Sequence, residues 1–516
     1  MTRRMVLAVA ILVLWAGMVG WHVRREYFQP ELTRLAMATM TLAPGTSFYS
    51  LQMGGQAIGI ASSRLDTIPE GGGFTLNDLM NLELQAMGQG GRASVRTEVA
   101  LSPTLQMDSF DFALESEVGL FRARGEVEGD TLLRVSVESG GAPEHLTFRL
   151  PEAPLFAAAL PIRIAKGGLL QVGRTHRFSV FDPSTVSTRT VEVEVLEEDV
   201  LMLPDSAVQD QATGRWVAAD YSPVSAWKIR ESYGGVTVES WVDEDGRVIR
   251  SSSPMGFSME RTAFELADQA LGDGRELAAR GDVSGDLVLS TAIASNVPLD
   301  EARMGDELRF VLSGVDLEGF DLDGGRQELR GDTLIVRRED WSGLDPGYTL
   351  PYPRMDLRGA LEPEPLIQSG DERIQSQARR VARWRIRGRN DPLAAAVRLN
   401  DWVYENVRKE MSFSIPSATQ ILDTLRGDCN EHTVLYVAMA RALGLPARVA
   451  VGLVYLEGSF FYHAWPEVWL GEWVAVDPTF GQAPAGAAHL RFITGGLAQQ
   501  VEVARLIGSL RIEVVQ

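Results

Sequence analysis

Cys429 is the only cysteine in the 516-residue chain, and it stands in the string Gly427-Asp428-Cys429-Asn430-Glu431-His432. Tyr462-His463-Ala464-Trp465 follows, and after it Asp477-Pro478-Thr479. A thiol, an imidazole and a carboxylate in that order are the parts of a cysteine acyl-transfer site. The sulfur attacks an acyl carbon, the imidazole takes and later returns the proton, and the carboxylate fixes the ring tautomer. His432 lies three residues beyond the thiol on the same helical face and is a competing base. His489 reads as structural. One cysteine and scattered histidines lack metal-ligand spacing, so neither a metal nor another cofactor is expected.

These groups need elements to position them. Leu435, Met439, Ala442 and Leu443 give the stretch after Cys429 a helical face, and Gly444 before Pro446 is a helix stop. Cys429 therefore falls in a first helical turn, where the dipole and the free N–H groups favour thiolate and a developing oxyanion, although Asp428 and Glu431 oppose this locally. Phe461 to Val468 alternates as a strand, with His463, Trp465 and Glu467 on one face. A three-residue loop Trp469-Leu470-Gly471, with Gly471 left-handed, leads into the next strand at Glu472 and sets His463 directly opposite Asp477. A slip of one residue would turn Asp477 to the other face.

The rest of the chain is organised differently. Acidic residues outnumber basic ones by 69 to 49, a net charge of −20 that argues against nucleic acid as a partner. Residues 361–516 are nearly balanced, with 17 acidic and 16 basic side chains, so the excess lies upstream. Short β-branched and aromatic runs with turn signals fill residues 44–263 and predict an antiparallel β domain. Examples are Val191, Val193 and Val195 alternating with Glu192 and Glu194, and an Asp245-Gly246 hairpin turn. A helical linker is expected over 264–283, then a smaller β domain over 284–360. The latter ends in a stretch around Pro346, Pro351, Pro353, Pro363 and Pro365 that reads as a linker. Two amphipathic helices, 371–382 and 392–408, open the segment 361–516.

Residues 1–27 read as a membrane anchor. Met5 to Trp21 is an unbroken run of apolar and small residues between Arg3-Arg4 and Arg24-Arg25, at the short end of what spans a bilayer. A cleaved signal peptide is the rival reading. Either way the bulk of the chain is expected outside the cytoplasm, on the periplasmic or extracellular side.

Residues 416–482 resemble the transglutaminase-like superfamily. The matching pieces are Gly427 to His432, Ala440 to Arg448 with Val451-Gly452, His463-Ala464-Trp465-Pro466-Glu467-Val468, and Trp473 to Thr479. The resemblance implies a papain-like α+β core, Cys429, His463 and Asp477 as the triad, and acyl transfer from an amide through a thioester. It also implies a side-chain oxyanion donor upstream of the nucleophile, for which Trp402 and Gln420 are the candidates. The expected fold is thus multidomain: a transmembrane helix, a mainly antiparallel β ectodomain and a C-terminal papain-like, transglutaminase-like α+β domain. The expected function is a membrane-anchored peptidase, amidase or crosslinking enzyme acting on protein, peptide or envelope-polymer substrates. The alternative is a non-catalytic envelope scaffold with a retained triad.

Overall fold

The computed structural model describes residues 31–515, apart from 70–71, 130, 234–235, 283, 300–305, 383–389, 497–498 and 500. The expected transmembrane helix is not supported. No described helix is long and apolar enough to cross a membrane, and residues 5–21 lie outside the described residues.

Fifteen strands between Gly45 and Thr262 form one sheet. Gly45–Met53 pairs with both Gln56–Thr67 and Phe257–Thr262, and antiparallel neighbours extend the sheet to either side, with the short parallel strand Leu155–Phe156 at one edge. Alternation explains these strands: in Leu132–Glu138, Leu133, Val135 and Val137 are buried while Arg134 is exposed. The expected hairpin forms too, with Gly246 at φ 77° joining Val236–Asp243 to Val248–Ser252. The sheet curls until its ends meet, so that Phe148 near one edge and Phe181 near the other have ring centroids 6.1 Å apart. The helix Phe264–Ala279 lies on this sheet, where Gln56 Nε2 donates to Gly274 O at 2.8 Å.

The remaining chain folds around a separate core. A four-stranded sheet combines Glu307–Ser313, Gln327–Arg330 and Thr333–Arg337 with the far C-terminal strand Arg511–Val515. A second sheet joins Ala447–Leu456, Ser459–Trp469, Trp473–Ala475 and His489–Thr494, with the short Ile293–Ala294 at its edge. Phe310 from one sheet and Phe460 from the other meet edge to face at 5.8 Å, so the two share an interior. The proline-rich stretch lies against this unit: Tyr352 N donates to Gly444 O at 2.8 Å, and Tyr348 Oη to Trp469 O at 2.6 Å. At the centre runs the helix Cys429–Ala442, in which every residue from Glu431 to Arg441 is buried.

The two halves are docked along residues 411–426. Ser417 Oγ donates to Ser139 O at 2.7 Å, Gln420 Nε2 to Leu120 O at 2.7 Å, and Arg426 Nη2 to Glu117 O at 2.7 Å. A Cβ on Gly140 would come within 2.0 Å of Gln420 Cγ, so this joint depends on glycine.

Candidate active site

Cys429 is the first residue of its helix. Asp428 caps the helix by accepting from Asn430 N at 2.8 Å, and Glu431 reaches back to Asp428 N at 2.9 Å, completing a capping box. Ser414 Oγ holds Glu431 from the other side at 2.9 Å. Gly427 makes room for this arrangement: its φ is 152°, and a Cβ there would lie 2.3 Å from Glu431 Cβ.

The expected lowering of the thiol is corrected. Burial pushes the Cys429 thiol well above its ordinary value, and the Asp428 carboxylate adds to the shift. The Ala464 N–H hydrogen-bonds the sulfur and works the other way without prevailing. Charge on the sulfur thus has to be balanced by a partner, because the helix terminus alone does not outweigh desolvation.

The strand Ser459–Trp469 runs beside this helix, and Thr433 Oγ1 donates to Ala464 O at 3.0 Å. The hairpin that follows is two residues out of the expected register. Glu467 pairs with Ala475 and Trp469 with Trp473, and the loop is Leu470-Gly471-Glu472, with Gly471 at φ 94°. A slip of two preserves the face, so Asp477 reaches His463 diagonally instead of from directly across. His463 Nε2 lies 2.8 Å from Asp477 Oδ2.

Asp477 is fully buried and accepts four hydrogen bonds. Oδ2 takes His463 and His489, each Nε2 at 2.8 Å, and Oδ1 takes the backbone N–H groups of Thr479 at 2.8 Å and Phe480 at 3.2 Å. Burial alone would raise this carboxyl. The charge and hydrogen bond of His463, with the hydrogen bond and charge of His489, outweigh it and hold the group well below the usual carboxylate range. A carboxylate only accepts, so both histidines carry their proton on Nε2, and Nδ1 of His463 is its basic nitrogen. Near-parallel rings fix that imidazole, Phe480 at 5.0 Å and Trp465 at 6.0 Å.

The remaining sequence candidates are placed elsewhere. His432 is fully buried, its Nδ1 2.7 Å from Asp428 O and its Nε2 3.2 Å from Val407 O, so both ring nitrogens face backbone carbonyls. Burial holds its pKa below the ordinary histidine value. Gln420 is committed to the docking joint, and Trp402 packs against the same core as Cys429. His489, expected to be structural, shares Asp477 with His463, a contact missed in the sequence because it crosses from a third strand. One signal was present: three of the six histidines follow residue 428. Behind the site, Glu467 is buried between Arg448 at 2.6 Å and Arg491 at 3.0 Å, which ties its strand to the strand of His489. His463, Asp477 and His489 hold three potential metal-ligand atoms within 4.8 Å of one another, but their contacts are those of hydrogen-bonded partners.

Residues 379–478 match the family model of the transglutaminase-like superfamily. The chain carries a transglutaminase-like domain. That domain contains the helix of Cys429 and the hairpin of His463 and Asp477, in an otherwise mostly β chain. No curated protein matches the chain. Among solved structures, it is similar to a β-barrel-like protein of a domain family of unknown function from Brucella abortus. Identity there is 14% and the TM-score 0.32, over 43% of this chain and 95% of the other. A candidate cysteine protease from Cytophaga hutchinsonii is 17% identical with a TM-score of 0.28, over 41% of this chain and 83% of the other. The periplasmic domain of TgpA from Pseudomonas aeruginosa is 22% identical with a TM-score of 0.23, over 35% of this chain and 74% of the other.

Proposed function

We propose that the protein is a cysteine acyl-transfer enzyme that opens an amide of a protein or peptide substrate through a thioester on Cys429. His463 Nδ1 takes the thiol proton as the sulfur bonds to the acyl carbon, and the imidazolium so formed is balanced by Asp477. The C–N bond breaks, and the leaving amine takes the proton back from His463. Water or a second amine then bonds to the thioester carbon and gives its proton to His463 Nδ1; the C–S bond breaks and the sulfur takes that proton, so hydrolysis or crosslinking restores the free thiol. The Ala464 N–H beside the sulfur is in place to stabilise the negative charge that develops there. The raised thiol supports a mechanism in which proton transfer accompanies attack, instead of one starting from a resting thiolate.

The observation that carries this reading is the 2.8 Å contact of His463 with the buried Asp477, one residue from the amide that faces the Cys429 sulfur. The apolar run after Arg3-Arg4 supports an extracytoplasmic site of action. Mass spectrometry of the full chain after exposure to amide-bearing envelope extract is the test. An acyl adduct on Cys429 that Cys429→Ser abolishes is expected, together with loss of amide turnover. Turnover indifferent to that substitution overturns the proposal and favours the non-catalytic scaffold.

A further inference from the structure

A cavity of about 520 Å³ lies between the curled sheet and the helix that carries Cys429. Phe121, Leu146 and Phe148 form its wall on the sheet side, and Leu366, Val434 and Tyr462 face them from the transglutaminase-like domain. Asn430 and Thr433, from the first turns of the nucleophile helix, also line it, as does Ala464, whose N–H meets the sulfur. The cavity therefore begins beside the place where the reacting carbon would sit. Its volume falls within the roughly 300–1,000 Å³ of small-molecule sites, which favour such joints between domains.

The wall is mainly apolar, and its serine and threonine hydroxyls are already engaged. Ser184 Oγ donates to Asp182 at 2.6 Å, Thr185 and Ser187 pair at 2.9 Å, Ser414 donates to Glu431 at 2.9 Å, and Thr433 donates to Ala464 O at 3.0 Å. An extended peptide backbone would need donors and acceptors at regular spacing, and the sheet-side wall of Phe121, Leu146 and Phe148 has no polar side chain to supply them. A hydrocarbon needs none. Val186 in the lining holds φ 50°, a conformation that branching at Cβ disfavours, so this turn is kept against its local preference.

We propose that this cavity receives an extended hydrocarbon group of the acyl donor, adjoining the amide, so that the β sheet supplies half of the substrate site. The assignment rests on the acyl-transfer reading for the position of the reacting carbon. Either a fatty acyl chain or a bulky apolar side chain of a peptide could supply the hydrocarbon.

The test is turnover by the full chain of two series of 4-nitroanilides: straight-chain acyl groups of rising length, and peptides ending in Gly, Leu or Phe. The proposal expects kcat/KM to rise about three- to fourfold for each buried methylene up to an optimum. The better series identifies the source of the hydrocarbon. Leu146→Trp, which narrows the cavity, moves the optimum to shorter chains. Val186→Gly, which opens the cavity and relieves the turn, moves it to longer ones. An active enzyme indifferent to chain length, or an optimum unmoved in both variants, overturns the cavity assignment while leaving acyl transfer intact. If no anilide is cleaved, acyl transfer fails on these donors, and calorimetry with dodecanamide on Cys429→Ala decides the cavity separately. Saturable binding weakened at least tenfold by Leu146→Trp supports it, and no binding overturns it.

Discussion

Two pairs of acids, Asp78 and Glu231 in the curled sheet and Glu467 and Asp477 near Cys429, respond to burial in opposite ways. In the sheet, burial pushes Asp78 up to about 6 and Glu231 to about 7, so these groups take up a proton instead of finding a cation. Around Cys429, Glu467 and Asp477 are buried more completely, yet both are lowered, because arginines flank one and histidines the other. Individual ion pairs show the same contrast. Arg177–Glu192 and Arg134–Glu128 sit on the sheet surface, whereas Arg491–Glu467 has side chains 3% and 1% exposed. Desolvating a charge is justified only where the geometry it holds is needed, and here that geometry is the one that orients His463.

Asp477→Asn strikes this contrast hardest. By analogy with triad carboxylates, kcat for a cleavable amide should fall by about 10⁴-fold. Because the folded carboxyl is depressed, its contribution to stability is present above the ordinary carboxylate range of about pH 4 and is lost as pH falls below it. Denaturation midpoints of wild type and variant should therefore converge only in strong acid. Converging midpoints at neutral pH would remove the carboxylate from the account.

Arg491→Met comes next. It leaves Glu467 with one cation and should destabilise by about 3–5 kcal/mol in chemical denaturation. A loss below about 1 kcal/mol would show that the interior pair holds nothing in place. Glu231→Gln tests the sheet in the opposite sense. A raised carboxyl makes wild-type stability fall as pH rises from about 4.3 towards about 7. The variant should lack that slope, for a gain of about 1–3 kcal/mol at pH 8 and none at pH 4. Arg177→Ala, at the solvent-exposed pair, should change stability by less than about 1 kcal/mol. An effect rivalling that of Arg491→Met would erase the distinction between the halves.

What was legible in the sequence follows the same division. Strands of the curled sheet mostly pair with their neighbours in the chain, so alternation and turns such as Asp245-Gly246 suffice to find them. Cys429, His463 and Asp477 stood out because the helix start and the hairpin are each local. The His463–Asp477 contact was expected for the right face but the wrong register, since loop length alone does not separate a pairing from one shifted by two. His489 on Asp477 and Arg491 on Glu467 were invisible, because each depends on a strand brought in from farther along the chain. The direction of the Cys429 shift was missed for a related reason: a helix terminus is readable from sequence, whereas the burial that outweighs it depends on packing.

The strand Arg511–Val515, seated beside Glu307–Ser313, has a practical meaning for anyone subcloning this molecule. A fragment cut at residue 361 would strip that last ribbon of the strand it pairs with and bare Phe460 where Phe310 had covered it. The smallest excisable body that retains these partners has to begin ahead of Ile293, which borders the same sheet as His463.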